Sequence, residues 1–321
     1  MTESFNTNEQ ATVNNFLNIN EITQKNLKAI LDDAIKIKEL TLRDDFSKEC
    51  YSSCLNNTIT GLLFEKPSTR TRLSFEAAVL KLGGQVSNLR KDEIHLGQGE
   101  TLQDTTAMFS LFLDVLVLRL FEEEKLYEFA RHSKIPIING LTNESHPCQV
   151  LTDIFTFQEL RGSISGKKVV WLGVANNVFR SYLHAASSLN FRLFFSGPSK
   201  FEPTEKMLGC IQDQTSNILT IEKNPVVAVK NADLVVTDKW VSMHDDQLRK
   251  SDLNDLANYR VTKKLLSAAN EEVLFMHCLP ADKGQEVSQD IFEDKRCVAL
   301  QEAENRMHVQ KSILRWCLGL F

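Results

Sequence analysis

Thr58-Ile-Thr-Gly-Leu-Leu-Phe64 runs straight into Glu65-Lys-Pro-Ser-Thr-Arg-Thr-Arg72, and residues 73–82 then carry apolar side chains at helical spacing. An apolar run, a proline-bearing junction and a 3.6-residue period predict strand, turn and helix, the unit of a parallel sheet with crossover helices. Pro67 helps to end the strand and begin the turn. The junction suits an anion. Ser68, Thr69 and Thr71 supply hydroxyls, Arg70 and Arg72 supply guanidinium forks, and the helix start supplies unpaired N–H groups at the positive end of its dipole. The rival reading is an ordinary N-cap, but a cap needs one hydroxyl and no arginine.

The same alternation extends in both directions. Before it, Leu27, Ile30, Leu31, Ala34, Ile35 and Ile37 predict a helix over residues 22–40. After it, strands are predicted at 85–89, 115–120 and 135–140, separated by helices at 73–82, 102–112 and 125–132. A longer helix over 148–160 ends at Arg161-Gly-Ser163, and a second alternation begins at 167–173. Its further strands are expected at 193–196, 218–221, 234–237 and 273–277, with helices including 178–189 and 261–269. The expected fold is α/β: two domains, each a parallel sheet flanked by helices, with an amphipathic C-terminal helix at 302–318 returning to the first domain. The expected division is a polar tail at 1–15, a first domain at 16–147 joined by 302–321, a connecting helix at 148–162 and a second domain at 163–301.

With 321 residues, two hydrophobic cores are the natural expectation. The net charge of −5 offers no basic field, so nucleic acid is not an expected partner. Seven cysteines form no C-x-x-C pair, which argues against a disulfide framework or a structural zinc site and fits a reducing, cytoplasmic setting. Residues 1–15 hold Glu3 and Glu9 but no Lys or Arg, unlike a signal peptide or presequence, and read as a frayed tail. No run approaches a membrane span, so no membrane partner is expected.

In open parallel sheets, ligands sit beyond the carboxyl ends of the strands. Arg119 ends the run Val115-Leu-Val-Leu118, where a buried guanidinium needs an anion, although a lone arginine there usually snorkels to the surface. His146-Pro-Cys-Gln149 opens a helix, with Pro147 suited to its first position. A neutral imidazole there could donate to an oxygen that gains charge during acyl transfer, or merely cap the helix. Gly173-Val-Ala-Asn-Asn177 has one glycine where a dinucleotide loop wants three; Asn177 could hold a carboxylate or act as a cap. Asp238 follows another strand and could bind an ammonium group or cap a helix. Cys278 follows the run 273–277 and is either a buried apolar thiol or a group facing a substrate.

These motifs, in this order from about Asn15 to the C-terminus, resemble the ornithine carbamoyltransferases of the aspartate/ornithine carbamoyltransferase family. Ser68-Thr-Arg-Thr71 matches the family's phosphate motif, His146-Pro-Cys-Gln149 its HPxQ motif, Ser242-Met243 its SM motif and His277-Cys-Leu-Pro280 its HCLP motif. The first two are shared with aspartate carbamoyltransferases; the last two point to ornithine. The resemblance implies transfer of a carbamoyl group from carbamoyl phosphate to L-ornithine, with no metal or organic cofactor, in a homotrimer. It implies carbamoyl phosphate contacts from Ser68, Thr69, Arg70, Thr71, Arg119, His146, Gln149, Cys278, Leu279 and Arg306. His95 matches a loop position that reaches a neighbouring subunit's site. Asn177, Asp238, Ser242 and Met243 match ornithine contacts, and Arg70, His146 and Cys278 match catalytic positions. Val174 and Ala175 replace the family's aspartate and glycine, and His244 replaces the glycine of Ser-Met-Gly. These departures leave open another amine acceptor, such as putrescine or a modified ornithine. A silent protein that only binds carbamoyl phosphate is the rival from outside enzymology.

Overall fold

The computed structural model describes residues 13–43, 45, 51–90, 99–209, 211, 215–240 and 250–321. Its first sheet holds β1 (Ile59–Phe64), β2 (Gln85–Arg90), β3 (Val115–Arg119) and β4 (Ile137–Leu141) in the order β2-β1-β3-β4, every pair parallel. Helix α1 (Gln24–Leu42) precedes the sheet, and α2 (Thr69–Lys81), α3 (Leu102–Phe112) and α4 (Glu123–His132) connect its strands. Helix α5 (Pro147–Arg161) leads to the second sheet, formed by β5 (Lys168–Leu172), β6 (Arg192–Ser196), β7 (Leu219–Ile221), β8 (Leu234–Thr237) and β9 (Leu274–His277). Its order is β7-β6-β5-β8-β9, again all parallel. Around it lie α6 (Asn177–Leu189) and the short helices α7 (Glu205–Leu208), α8 (Thr215–Ile218), α9 (Pro225–Val229), α10 (Lys250–Leu256) and α11 (Lys263–Leu266), before the terminal α12 (Ala299–Cys317). This is the expected two-domain architecture.

Strands β1, β3, β8 and β9 are covered on both faces, which is why they read as apolar runs and not as alternations. Helix α5 is buried from Pro147 through Phe157, because α1, α6, α12 and β4 surround it, and the polar Gln149, Thr152, Asp153 and Thr156 are enclosed along with its apolar residues. Each Ile, Leu or Phe so enclosed contributes about 1.5–3 kcal/mol relative to exposure.

Three expectations change in detail. Helix α12 does return to the first domain, packing on α1, α2 and α5, but it is not amphipathic in effect. Asn305, Arg306, His308, Gln310, Lys311 and Ser312 are all buried, since the surrounding helices enclose its polar side as well. The helix read at 261–269 is a single turn; Thr262 caps it, its hydroxyl accepting from Leu265 N at 3.0 Å, and the chain leaves the helix after Leu266 to reach β9. The tail is tied down at its described end: Asn14 Nδ2 donates to Trp316 O at 3.3 Å, and Asn15 Oδ1 accepts from Ile137 N at 2.8 Å.

In both sheets the strand order reverses in the middle, between β1 and β3 and between β5 and β8. The loops after β1, β3, β4, β5, β8 and β9 therefore face each other across the gap between the domains, where such folds place ligands.

Candidate active site

That gap is a cleft of about 760 Å³ with Ser68, Arg70, Thr71, Arg119, His146 and Gln149 on one wall, and Asn177, Asp238, Cys278 and Leu279 on the other. Thr69 and Arg306 also line it. Ser68 occupies the N-cap position of α2 with extended backbone (φ −152°), yet its side chain makes no capping hydrogen bond. The cap reading thus fails for its hydroxyl, which stays available along with the N–H groups of the first turn.

Pairing of β3 with β1 sets Arg119 level with Phe64, beside the start of α2. From the other end of the chain, α12 brings Arg306. Both reach Thr71: its Oγ1 accepts from Arg306 Nη2 at 2.8 Å and from Arg119 Nη1 at 3.5 Å. Among the described residues none of Arg70, Arg119 and Arg306 forms an ion pair, and the Nε atoms of Arg119 and Arg306 are buried without a partner. Burial, then the charges of Arg306 and Arg70, push the Arg119 guanidinium down to about 10; burial lowers Arg306 as well. Like charges held this close in a desolvated wall call for an anion between them. Arg72 does not join them. It is exposed and its Nε pairs with Glu76 Oε1 at 2.9 Å, because one residue along a helix turns the side chain about 100° away from Thr71.

His146 stands at the N-cap of α5, but Pro147 follows it and its side chain makes no cap bond. Its backbone N–H donates to Ser181 Oγ at 2.8 Å, and Nδ1 is buried without a partner. Burial and the neighbouring Arg306, Arg119 and Arg70 hold its pKa well below the ordinary imidazole value, so the ring is neutral. One turn on, Gln149 Oε1 accepts from Arg306 Nη1 at 3.1 Å, while Gln149 Nε2 donates to Asp153 Oδ1 at 2.8 Å and Glu302 Oε1 at 2.7 Å.

On the opposite wall, Asn176 and not Asn177 caps α6, accepting from Val178 N at 3.0 Å and Phe179 N at 3.1 Å. Asn177 lines the cleft, and its Nδ2 donates across the gap to Thr142 O at 2.7 Å. Asp238 is held by three donors: Cys278 Sγ at 2.8 Å, Lys239 N at 2.7 Å and Asn176 Nδ2 at 2.7 Å. Burial and the Asp238 carboxylate push the Cys278 thiol well above its usual range, so it is a neutral donor and not a thiolate nucleophile. Gly173 turns after β5 with φ +108°, and a Cβ there would sit 2.6 Å from Trp240 Nε1, so its glycine serves close packing of an indole. Leu279, after the β9 strand, has φ +52° and precedes a cis bond to Pro280.

Asp238, His277 and Cys278 bring ligand-type atoms within 4.8 Å of one another. The His277 ring is engaged on both sides, Nδ1 accepting from Leu279 N at 2.9 Å and Nε2 lying 3.3 Å from Glu286 Oε1. Cys278 donates to Asp238 and the His277 ring is taken up by Leu279 and Glu286, so each of the three is already engaged in hydrogen bonds that hold this wall. His95, Ser242, Met243 and the departure at His244 lie outside the described residues.

Several residues of the cleft had no individual signal in the sequence. Lys66, within the opening stretch, is buried with its amine over the Phe121 ring at 4.3 Å and donating to Asn143 Oδ1; burial and Arg119 lower its pKa. Asn143 and Asn176 line the cleft beside it, and Asp153 with Glu302 back Gln149. Glu302 sits four residues before Arg306, the one spacing that would have flagged it as sharing a helix face.

Comparison with known proteins agrees with this geometry. Residues 14–159 match the family model of the aspartate/ornithine carbamoyltransferase carbamoyl-P binding domain, and residues 165–317 match that of the Asp/Orn binding domain. The chain is 44% identical over 308 residues to the ornithine carbamoyltransferase of Ruegeria pomeroyi, covering 96% of this chain and 100% of that one. Among solved structures, ornithine carbamoyltransferase from Burkholderia thailandensis aligns with a TM-score of 0.85 at 36% identity, over 95% of this chain and 98% of that one. The Pyrococcus furiosus enzyme gives 0.87 at 33%, over 96% and 97%. With the two-sheet fold, the arginine-lined cleft and both family models in agreement along the length of the chain, the protein belongs to the aspartate/ornithine carbamoyltransferase family.

Proposed function

We propose that the chain transfers the carbamoyl group of carbamoyl phosphate to L-ornithine, releasing L-citrulline and phosphate. The observation that carries this reading is the convergence of Arg119 and Arg306 on Thr71, beside Arg70 and a neutral His146, where among the described residues none of the three arginines forms an ion pair. Arg70, Arg119, Arg306, Ser68, Thr69 and Thr71 hold the phosphate, and their charge stabilises it as it leaves. The neutral imidazole of His146 donates to the carbamoyl oxygen as it becomes an oxyanion. Leu279 and Gln149 lie at the carbamoyl end. The acceptor's amine, once deprotonated, attacks the carbamoyl carbon, and the C–O bond to phosphate then breaks. Asp238, oriented by Cys278, binds the acceptor's ammonium group, and Asn177 its carboxylate. Cys278 acts as a neutral donor that orients and not as a nucleophile.

The working chain on this reading is a cytoplasmic homotrimer, with His95, Ser242 and Met243 completing the site by resemblance and the domains divided at residues 148–162. Among the described residues no helix is long and apolar enough to cross a membrane. Purified protein should form citrulline and phosphate only when carbamoyl phosphate and ornithine are both present. No citrulline despite measurable carbamoyl phosphate binding would refute the assignment. Because Val174 and Ala175 line the cleft, the assay should include putrescine and modified ornithines; a higher kcat/KM for a diamine would transfer the activity to that acceptor.

A further inference from the structure

Gln149 is placed in an unusually one-sided setting. A carboxamide has two N–H donors and an oxygen with two lone pairs. Here both donors meet carboxyl oxygens, Asp153 Oδ1 at 2.8 Å and Glu302 Oε1 at 2.7 Å, and the oxygen meets Arg306 Nη1 at 3.1 Å. Gln149, Asp153 and Glu302 are each only 1% exposed. The two acids are themselves fixed: Tyr182 Oη donates to Asp153 Oδ2 at 2.7 Å, and His277 N donates to Glu302 Oε2 at 3.0 Å. Burial raises both, Asp153 to about 6 and Glu302 well above its usual range, the latter also through the Asp153 carboxylate beside it. Burial and the neighbouring Asp153 carboxylate favour the neutral form of Glu302.

Rotating the Gln149 amide by half a turn would set its oxygen against two carboxyl oxygens and its N–H groups against a guanidinium. Both exchanges replace attraction with repulsion, so only one orientation survives. That orientation presents to the cleft an oxygen with one lone pair still to satisfy.

We infer that Asp153 and Glu302 are positioning residues for donor selection: by locking the Gln149 amide, they make the site prefer an acyl phosphate with an N–H on the acyl carbon over one with a methyl group. The inference rests on carbamoyl phosphate being the donor. A carbamoyl N–H fills the remaining acceptor position of Gln149 Oε1, whereas a methyl group leaves it buried and unpaired. Sites built to bond a polar group discriminate against analogues lacking it for this reason. One such unsatisfied acceptor is worth on the order of 10- to 100-fold in relative affinity.

The test measures three quantities on the full chain: kcat/KM for carbamoyl phosphate with ornithine, the inhibition constant of acetyl phosphate, and that of inorganic phosphate. The wild type should hold acetyl phosphate at least about 10-fold more weakly than carbamoyl phosphate; equal affinity would overturn the inference without any variant. Glu302→Met, equal in length and without an acceptor, should shrink that preference by about 10-fold while leaving phosphate inhibition within about 2-fold. Glu302→Gln, whose carboxamide copies a neutral acid, should retain the preference. A Met variant with undiminished preference, or a Gln variant that loses as much as Met, would refute the positioning role. If carbamoyl phosphate and ornithine yield no citrulline in the wild type, the functional assignment itself has failed, a result distinct from all of these.

Discussion

Replacing Arg119 by methionine should separate function from stability. Arg119 is largely buried, has no carboxylate partner among the described residues and faces Arg306 and Arg70, which together with burial drag its pKa to about 10. Each tenfold loss of proton affinity is about 1.4 kcal/mol, so the folded state carries a penalty on the order of 3 kcal/mol for holding this charge. The sign follows from linkage: below about pH 10 the guanidinium is protonated both folded and unfolded, and the folded state alone bears the penalty. Methionine keeps much of the stem packing and removes the charge. The ligand-free Arg119→Met protein should therefore be at least as stable as the parent, while the lost charge-assisted contact weakens carbamoyl phosphate binding by about 1.5 to 3 kcal/mol, roughly 10- to 150-fold. Thermal denaturation with and without phosphate reads both effects in one assay. The parent should show a low Tm alone and a large shift with ligand; the variant should show the reverse. A destabilised variant that still gains as much from phosphate as the parent would refute the reasoning, because Arg119 would then be a structural residue.

The two arginines of the opening stretch should behave differently. Arg70→Ala should reduce kcat/KM for carbamoyl phosphate by at least about 10-fold, whereas Arg72→Ala, which removes only an exposed pair with Glu76, should stay within about 2-fold by steady-state assay. Asn177→Ala should raise the ornithine KM by about 10-fold with little change in the carbamoyl phosphate KM, since it removes the cross-cleft bond to Thr142 O and a contact on the acceptor wall. Because His146 is held neutral well below its ordinary range, the acid limb of the kcat/KM profile for ornithine should rise with unit slope, set by the substrate amine alone; a slope of two would show His146 titrating as well. Stability should fall as pH drops below about 6.5, as the unfolded chain protonates histidines that the fold depresses: His184 to about 4 and His308 to about 3. Urea midpoints between pH 7 and pH 4 check the trend, and His308→Gln should flatten it.

The apolar runs and the residues just after them were enough to read two parallel sheets and to name the wall from Ser68 to Thr71, because strand burial and junction chemistry are local properties of the chain. The same local logic misjudged Arg72, whose direction depends on the phase of α2, and read α12 as amphipathic when α1, α2 and α5 enclose its polar side too. It also overlooked Lys66, Asp153 and Glu302, whose roles rest on partners distant in sequence.

By itself, then, the sequence determined the alternation of strands and helices and the hydroxyl and guanidinium groups at one junction, since hydrophobic period and donor type are fixed residue by residue. Only tertiary structure decided which of those groups meet. Arg306 reaches Thr71 across 235 positions, and Asn177 reaches Thr142 from the other domain. That meeting sets the chemistry, because burial and neighbouring charge, not residue type, keep His146 neutral, the Cys278 thiol protonated and the Gln149 amide turned one way.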